Sequence, residues 1–200
     1  MPSETESSSG YSLEIPLPQY IEQEFRNWIR DVPGATWPRW GGHITVLNRF
    51  VPRGGLHPVV RAVQKVCAAR APFLIHLDEV LSDRHWRDPQ LNAVLLVSGS
   101  RDEEGCRALA RLHDDLETEL EPLKRDVHPE LSGRGYVPHL SLTLGVPEPD
   151  AARLLEMARA SGLEVEFTVE NICLLEFVGA VSGEERMGRV QSFPLAAASA

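Results

Sequence analysis

Apolar residues recur along this chain with two different periods, and the period changes wherever turn-forming residues intervene. Residues 11–17 (YSLEIPL) alternate Leu13, Ile15 and Leu17 with polar or neutral neighbours, the pattern of a half-buried strand. Over 18–31, Ile21, Phe25, Trp28 and Ile29 follow helical spacing, and Asp31-Val32-Pro33-Gly34 ends the run. A strand pattern returns over 43–50. A helix over 57–70 sets Val59, Val63, Val66 and Cys67 on one face, with Pro58 in its first turn. The next strand carries Phe73, Ile75 and Leu77 and ends near Leu81.

A polar connection, 82–90, separates this series from a second one. Residues 91–98 form an apolar strand. Ser100 and Glu103 have the spacing of a capping box for a helix that carries Cys106, Leu109, Leu112, Leu116 and Leu120 and is closed by Pro122. A loop rich in Lys, Arg, Gly and Pro leads to a strand over 137–146, a helix over 149–161 and a strand over 164–177. A last strand, about 186–195, folds back through a turn containing Gly179, Ser182 and Gly183. The order strand, helix, strand, helix, strand thus occurs twice. It predicts an α+β fold with duplicated β-α-β-α-β lobes, about 11–81 and 91–195, in one domain over 11–195. The polar stretch 1–10 and the closing 196–200 read as disordered tails.

Composition narrows the functional classes. A 42% hydrophobic content over 200 residues supplies a real core and argues against a disordered protein. The formal net charge of -9 argues against binding along an extended nucleic acid, whose affinity comes from many Lys and Arg contacts with phosphate. A small phosphate ester needs only a local positive site. Cys67, Cys106 and Cys173 lie far apart, with no C-x-x-C pair, so neither a disulfide framework nor a zinc ribbon is suggested. No secretory leader or membrane-spanning run is read, and the expected setting is cytoplasmic, with the nucleus as the other intracellular compartment. The expected state is a monomer.

Two short motifs carry the chemistry: His43-Ile44-Thr45-Val46 and His139-Leu140-Ser141-Leu142. In a strand, residues two apart share a face, so each motif presents an imidazole beside a hydroxyl while its apolar residues point to the core. Each histidine falls in the second strand of its series. If a pseudo-twofold brings those strands side by side, the imidazoles face one another across a cleft. Opening a phosphodiester asks one group to take a proton from water and another to give one to the departing oxygen, and histidine does either near neutral pH. Thr45 and Ser141 can hydrogen-bond the non-bridging oxygens. No metal or other cofactor is required, and the spacing of the seven histidines supports no zinc site. Two buried strand histidines, satisfied by neighbours, are the plainer alternative.

On these residues the chain resembles the 2H phosphoesterase superfamily, which includes 2′-5′ RNA ligase (LigT-like) proteins and 2′,3′-cyclic phosphodiesterases. The resemblance runs from YSLEIPL through HITV, YVPHLSL and EFTVENICLLEF to the final strand, and is most specific at Tyr136, Pro138 and His139. It implies a LigT-like fold of two lobes of antiparallel sheet, flanked by helices, around a central cleft. His43 and His139 would then be acid and base, and Thr45 and Ser141 would hold phosphate. The implied substrate is a 2′,3′-cyclic phosphate or 2′-5′ phosphodiester of a nucleotide or RNA terminus. A non-catalytic module that binds nucleotides or RNA ends is the alternative on the same fold.

Tyr136, Trp40, Arg49 and Arg134 are further candidate substrate contacts, with Trp37, Arg125 and His128 behind them. Anchoring of loops by the aromatic rings, and plain solvent exposure of the arginines, are the competing readings. Of the other histidines, His57 caps or precedes a helix, His76 lies on the polar phase of a strand, and His113 joins Asp114 and Asp115 on a solvated helical face. His85 and Trp86 sit in a loop that can reach over a cleft.

Overall fold

The computed structural model describes residues 10–32, 35, 37–38, 41–84, 90–99, 103–129, 135–179 and 185–196. Both predicted tails, apart from Gly10 and Ala196, fall outside them, as do Trp40, Arg134, His85, Trp86 and the capping residue Ser100. In chain order the elements are β1 (Gly10–Pro16), α1 (Gln19–Arg30), β2 (His43–Pro52), α2 (Leu56–Ala68), β3 (Phe73–Leu77), β4 (Glu79–Arg84) and β5 (Leu91–Val97). They continue with α3 (Glu103–Leu120), β6 (Lys124–Asp126), β7 (His139–Pro147), α4 (Glu148–Ala160), β8 (Val165–Val169), β9 (Asn171–Gly179) and β10 (Glu185–Pro194).

The helices form where the periodicity places them. Ile21, Phe25 and Ile29 are the buried stripe of α1; Val59, Ala62, Val63, Val66 and Cys67 are that of α2. Leu109, Leu112, Leu116 and Leu120 of α3 are fully buried, and α4 contributes Ala151, Leu154 and Ala158. These faces join one core with Leu13, Ile15, Ile44, Val46, Leu96, Leu140 and Leu142 from the strands. Lys65 of α2 reaches Glu119 of α3 at 2.6 Å, and Arg70 pairs with Asp115, tying the two helices at the surface.

An eight-stranded antiparallel sheet runs in the order β10-β9-β1-β2-β7-β5-β4, with β6 also paired to β2. At its centre β2 and β7 meet through one registered pair, Ile44 with Leu140. The burial patterns of β2 and β7 match position for position from His43 and His139 through Phe50 and Val146. A second, two-stranded sheet joins β3 to β8.

The structure corrects the strand count. What periodicity reads as one strand over 73–81 is two, β3 and β4, divided at Asp78, whose N–H donates to the Val97 carbonyl at 2.9 Å. The strand read over 164–177 likewise divides at Glu170 into β8 and β9; there the Glu170 carbonyl accepts from the Leu195 N–H at 2.7 Å. At both corners the chain's hydrogen-bonding partner changes, and periodicity does not register a change of partner. The short β6 lies in the stretch read as loop; three residues are too few to show a period.

Candidate active site

His43 opens β2 immediately after Gly41 and Gly42. Gly41 has φ +93°, a conformation that L side chains rarely adopt, and its carbonyl accepts from His43 Nδ1 at 2.9 Å. A Cβ on Gly42 would lie 2.5 Å from Leu17 Cδ1 and 2.6 Å from the Trp37 ring, so any larger residue would force one of these side chains to shift. His139 opens β7 in the same manner, with its Nδ1 2.9 Å from the Val137 carbonyl oxygen. In both cases the ring nitrogen faces a carbonyl two residues back. A carbonyl only accepts, so Nδ1 carries hydrogen and Nε2 is the nitrogen left for chemistry.

Ile44 and Leu140 are fully buried, so their neighbours occupy the opposite face of the sheet. Antiparallel pairing about Ile44 and Leu140 sets His43 across from Ser141 and Thr45 across from His139. All four half-buried side chains therefore share one face at the centre of the sheet. Burial holds the pKa of His139 below the ordinary imidazole value, and charge on His43 pushes it the same way. The hydrogen bond to Val137 and the field of Asp83 on β4 act against both.

Behind β2 lies a second layer. Tyr136 Oη donates to the Thr45 carbonyl at 2.9 Å, and the Tyr136 ring stacks on His113 at 4.2 Å and 5°. His113 Nδ1 in turn donates to the Val46 carbonyl at 2.7 Å. Burial raises the Tyr136 phenol, as does Cys106, keeping its proton in place for the donation. This corrects the reading of His113 as a solvated surface residue: it is half-buried and holds the motif strand. Helical periodicity, which places it one residue past the buried Leu112, could not show that β2 passes beside it.

The other candidates are distributed as follows. Trp37 packs on Phe25 (5.9 Å, 22°) and against Gly42, the loop-anchor alternative to base stacking. The Arg49 guanidinium lies 3.8 Å over the Phe177 ring. Arg125 on β6 is registered with Val51, eight residues or roughly 26 Å along the strand from His43. His128 lies two residues beyond β6, at that same end. A recess of about 810 Å³ beside β6, lined by Arg53, Glu117, Lys124 and Asp126 among others, also sits there and not at the histidines. Among the described residues, no group of three or more His, Cys, Asp or Glu is arranged to hold a metal ion.

One site residue was not anticipated. Glu14, 4% exposed, is registered with Thr45 and places Oε2 3.6 Å from His43 Nε2, while its Oε1 accepts from the Ser12 hydroxyl at 2.8 Å. In YSLEIPL it sits on the polar phase of a strand, which reads as solvent-facing. Only the pairing of β1 with β2 turns that phase toward the histidine.

The family model for the 2′-5′ RNA ligase superfamily matches residues 21–180. The chain belongs to the 2′-5′ RNA ligase superfamily. No curated protein matches the chain by sequence. Among solved structures it is similar to Escherichia coli LigT in apo form, with TM-score 0.59 and 16% identity over 94% of this chain and 98% of that one. LigT complexed with 3′-AMP gives TM-score 0.60 at 16% identity, with the same coverage. The protein TT0787 of Thermus thermophilus gives 0.62 at 15% identity over 95% of this chain and all of that one. These likenesses show a LigT-like α+β fold along nearly the whole chain.

Proposed function

We propose that this superfamily member is a phosphoesterase that opens 2′,3′-cyclic phosphates or 2′-5′ phosphodiesters of nucleotides or RNA ends by two-histidine acid/base catalysis. The observation that carries the reading is the matched pair of imidazoles. Each is fixed by an Nδ1–H to a carbonyl two residues back, and each flanks the one registered pair between β2 and β7. One Nε2 takes a proton from water while the other protonates the departing oxygen. Thr45 and Ser141 lie beside them, and their hydroxyls receive the non-bridging oxygens. Neither proton transfer needs a metal. The substrate class rests on the family and on LigT, solved with 3′-AMP, NADP+ and ATP. We also read the matching burial patterns of β2 and β7 as a duplication that makes the two motifs equivalent.

Hydrolysis of 2′,3′-cyclic mononucleotides and 2′-5′-linked dinucleotides in EDTA tests the proposal. His43→Ala and His139→Ala should each lower kcat by roughly 10²–10⁴-fold while nucleotide binding persists. A wild-type chain that binds these nucleotides and turns none over would instead be the non-catalytic module.

A further inference from the structure

The two matched motif strands stand between unlike neighbours. On the side of β1 and β9, Thr45 is registered with Glu14 and Glu14 with Cys173, and both of these are buried. On the side of β5 and β4, Ser141 is registered with Leu95 and Leu95 with Leu81. Val80, Val94, Leu96 and Leu140 point into the core, so Leu81, Ala93 and Leu95 lie on the opposite face, the one that carries His139 and Ser141. Leu81 and Leu95 are only half-buried, which leaves aliphatic surface open beside the motif.

The next row along the same strands extends this surface. Leu144 of β7 is registered with Ala93 of β5, and Ala93 with Asp83 of β4. Leu144 is 39% exposed whereas Ala93 is buried, so the small residue floors a shelf bordered by Leu95 and Leu144. Strand β4 ends the sheet on this side, and Asp83 is exposed at that outer edge, with its charge felt at His139. A carboxylate so placed repels a second phosphate, and leucine side chains reward the burial of apolar area. The shelf therefore suits an uncharged, flat-faced part of a substrate.

We propose that this shelf is the nucleobase subsite: with the phosphate held between the two motifs, the base lies flat on Leu81, Leu95 and Leu144. This rests on the reading above of the site as one for nucleotides. Strands β5 and β4 run roughly 5 and 10 Å from β7. In a 2′,3′-cyclic nucleotide the phosphate and the base are joined to one ribose, so a phosphate beside Ser141 sets the base within that span. The side of β1 and β9 offers no equal place, because its first two positions, Glu14 and Cys173, are buried and one of them is a carboxylic acid. Motif strands that match position for position thus receive the substrate in one orientation, with the base over β5 and β4.

Leucine-methyl NMR of the full chain with 3′-AMP in EDTA tests the subsite without requiring turnover, the signals being assigned with Leu81→Ile, Leu95→Ile and Leu144→Ile. The ring current of a stacked adenine should shift the methyls of all three leucines, and inorganic phosphate should leave them in place. Shifts confined to leucines outside the shelf overturn the proposal, as does 3′-AMP that binds without moving these three or does not bind at all. In kinetics, Leu95→Ala should lower kcat/KM for 2′,3′-cyclic AMP about tenfold relative to that for methyl ribofuranoside 2,3-cyclic phosphate, which lacks a base, and mainly through KM. An equal loss on both substrates would mark a merely structural leucine and overturn it. If the shelf leucines respond to 3′-AMP while the wild type hydrolyses neither ester, the two-histidine reading fails and the subsite stands. Hydrolysis of cyclic AMP with silent leucines is the reverse outcome.

Discussion

At the scale of single residues, the motif histidines are held by their backbones and distinguished by their neighbours. Tyr136 and His113 grip two successive carbonyls of β2, at Thr45 and Val46, and so fix the strand that aims His43 and Thr45. Tyr136→Phe removes one of these hydrogen bonds while keeping the ring on His113. It should destabilise the fold by about 0.5–1.5 kcal/mol in urea unfolding and lower kcat more than it changes KM. An unchanged kcat would show that the strand holds its place without the phenol. His139 gives a pH signature. Because its folded pKa lies below the unfolded imidazole value, near 6.5, the unfolded chain binds more protons in the window below it. Stability from this site is therefore complete above about pH 6.5 and lost as pH falls through the folded value. The urea midpoint of the wild type should drop on acidification across that window, and His139→Gln should flatten the drop. Parallel curves for the two proteins would contradict it. Cys67 belongs to the same scale: burial pushes its thiol up to about 12, so in the native protein at pH 8 it should react with a thiol reagent far more slowly than half-buried Cys106, and at full rate in denaturant.

At the scale of elements, the approach to His43 is packed closely enough that an added methyl would displace its neighbours. In Gly42→Ala the new methyl would meet Leu17 and Trp37, so the β1–α1 junction or the loop must move. Such overpacking costs typically about 1–3 kcal/mol. Thermal unfolding should report that loss, and kcat should fall with it because the displaced segment is the one that carries His43. A variant with wild-type stability and rate would show that the junction yields freely. The helices needed no such help to be read. Their stripes, such as Leu109, Leu112, Leu116 and Leu120, are long enough for the 3.6-residue period to be unambiguous. The corners at Asp78 and Glu170 were illegible because a change of hydrogen-bonding partner is not written in the run of apolar residues.

At the scale of the whole molecule, neither half closes on itself. Strand β2 pairs with β7, β3 with β8, and α2 packs on α3, so elements before residue 85 complete their pairing only with elements after it. One buried cluster runs through both halves. Far-UV circular dichroism and tryptophan fluorescence should therefore report a single coincident unfolding transition. The separate fragments 1–84 and 90–200 should lack dispersed amide NMR spectra until mixed. A well-dispersed spectrum from either alone would show an independent lobe.

The pattern of residues determined the α+β class, the four long helices and most strands, and the two motifs. Each of these is local, expressed in a period or a short string of neighbours. What only the tertiary structure decided is pairing. The register of Ile44 with Leu140 gathers four motif side chains on one face, and the register of β1 with β2 brings Glu14 to His43. A residue on the polar phase of a strand reads the same whether it meets water or an imidazole, and that difference lies in a partner strand far away in the chain.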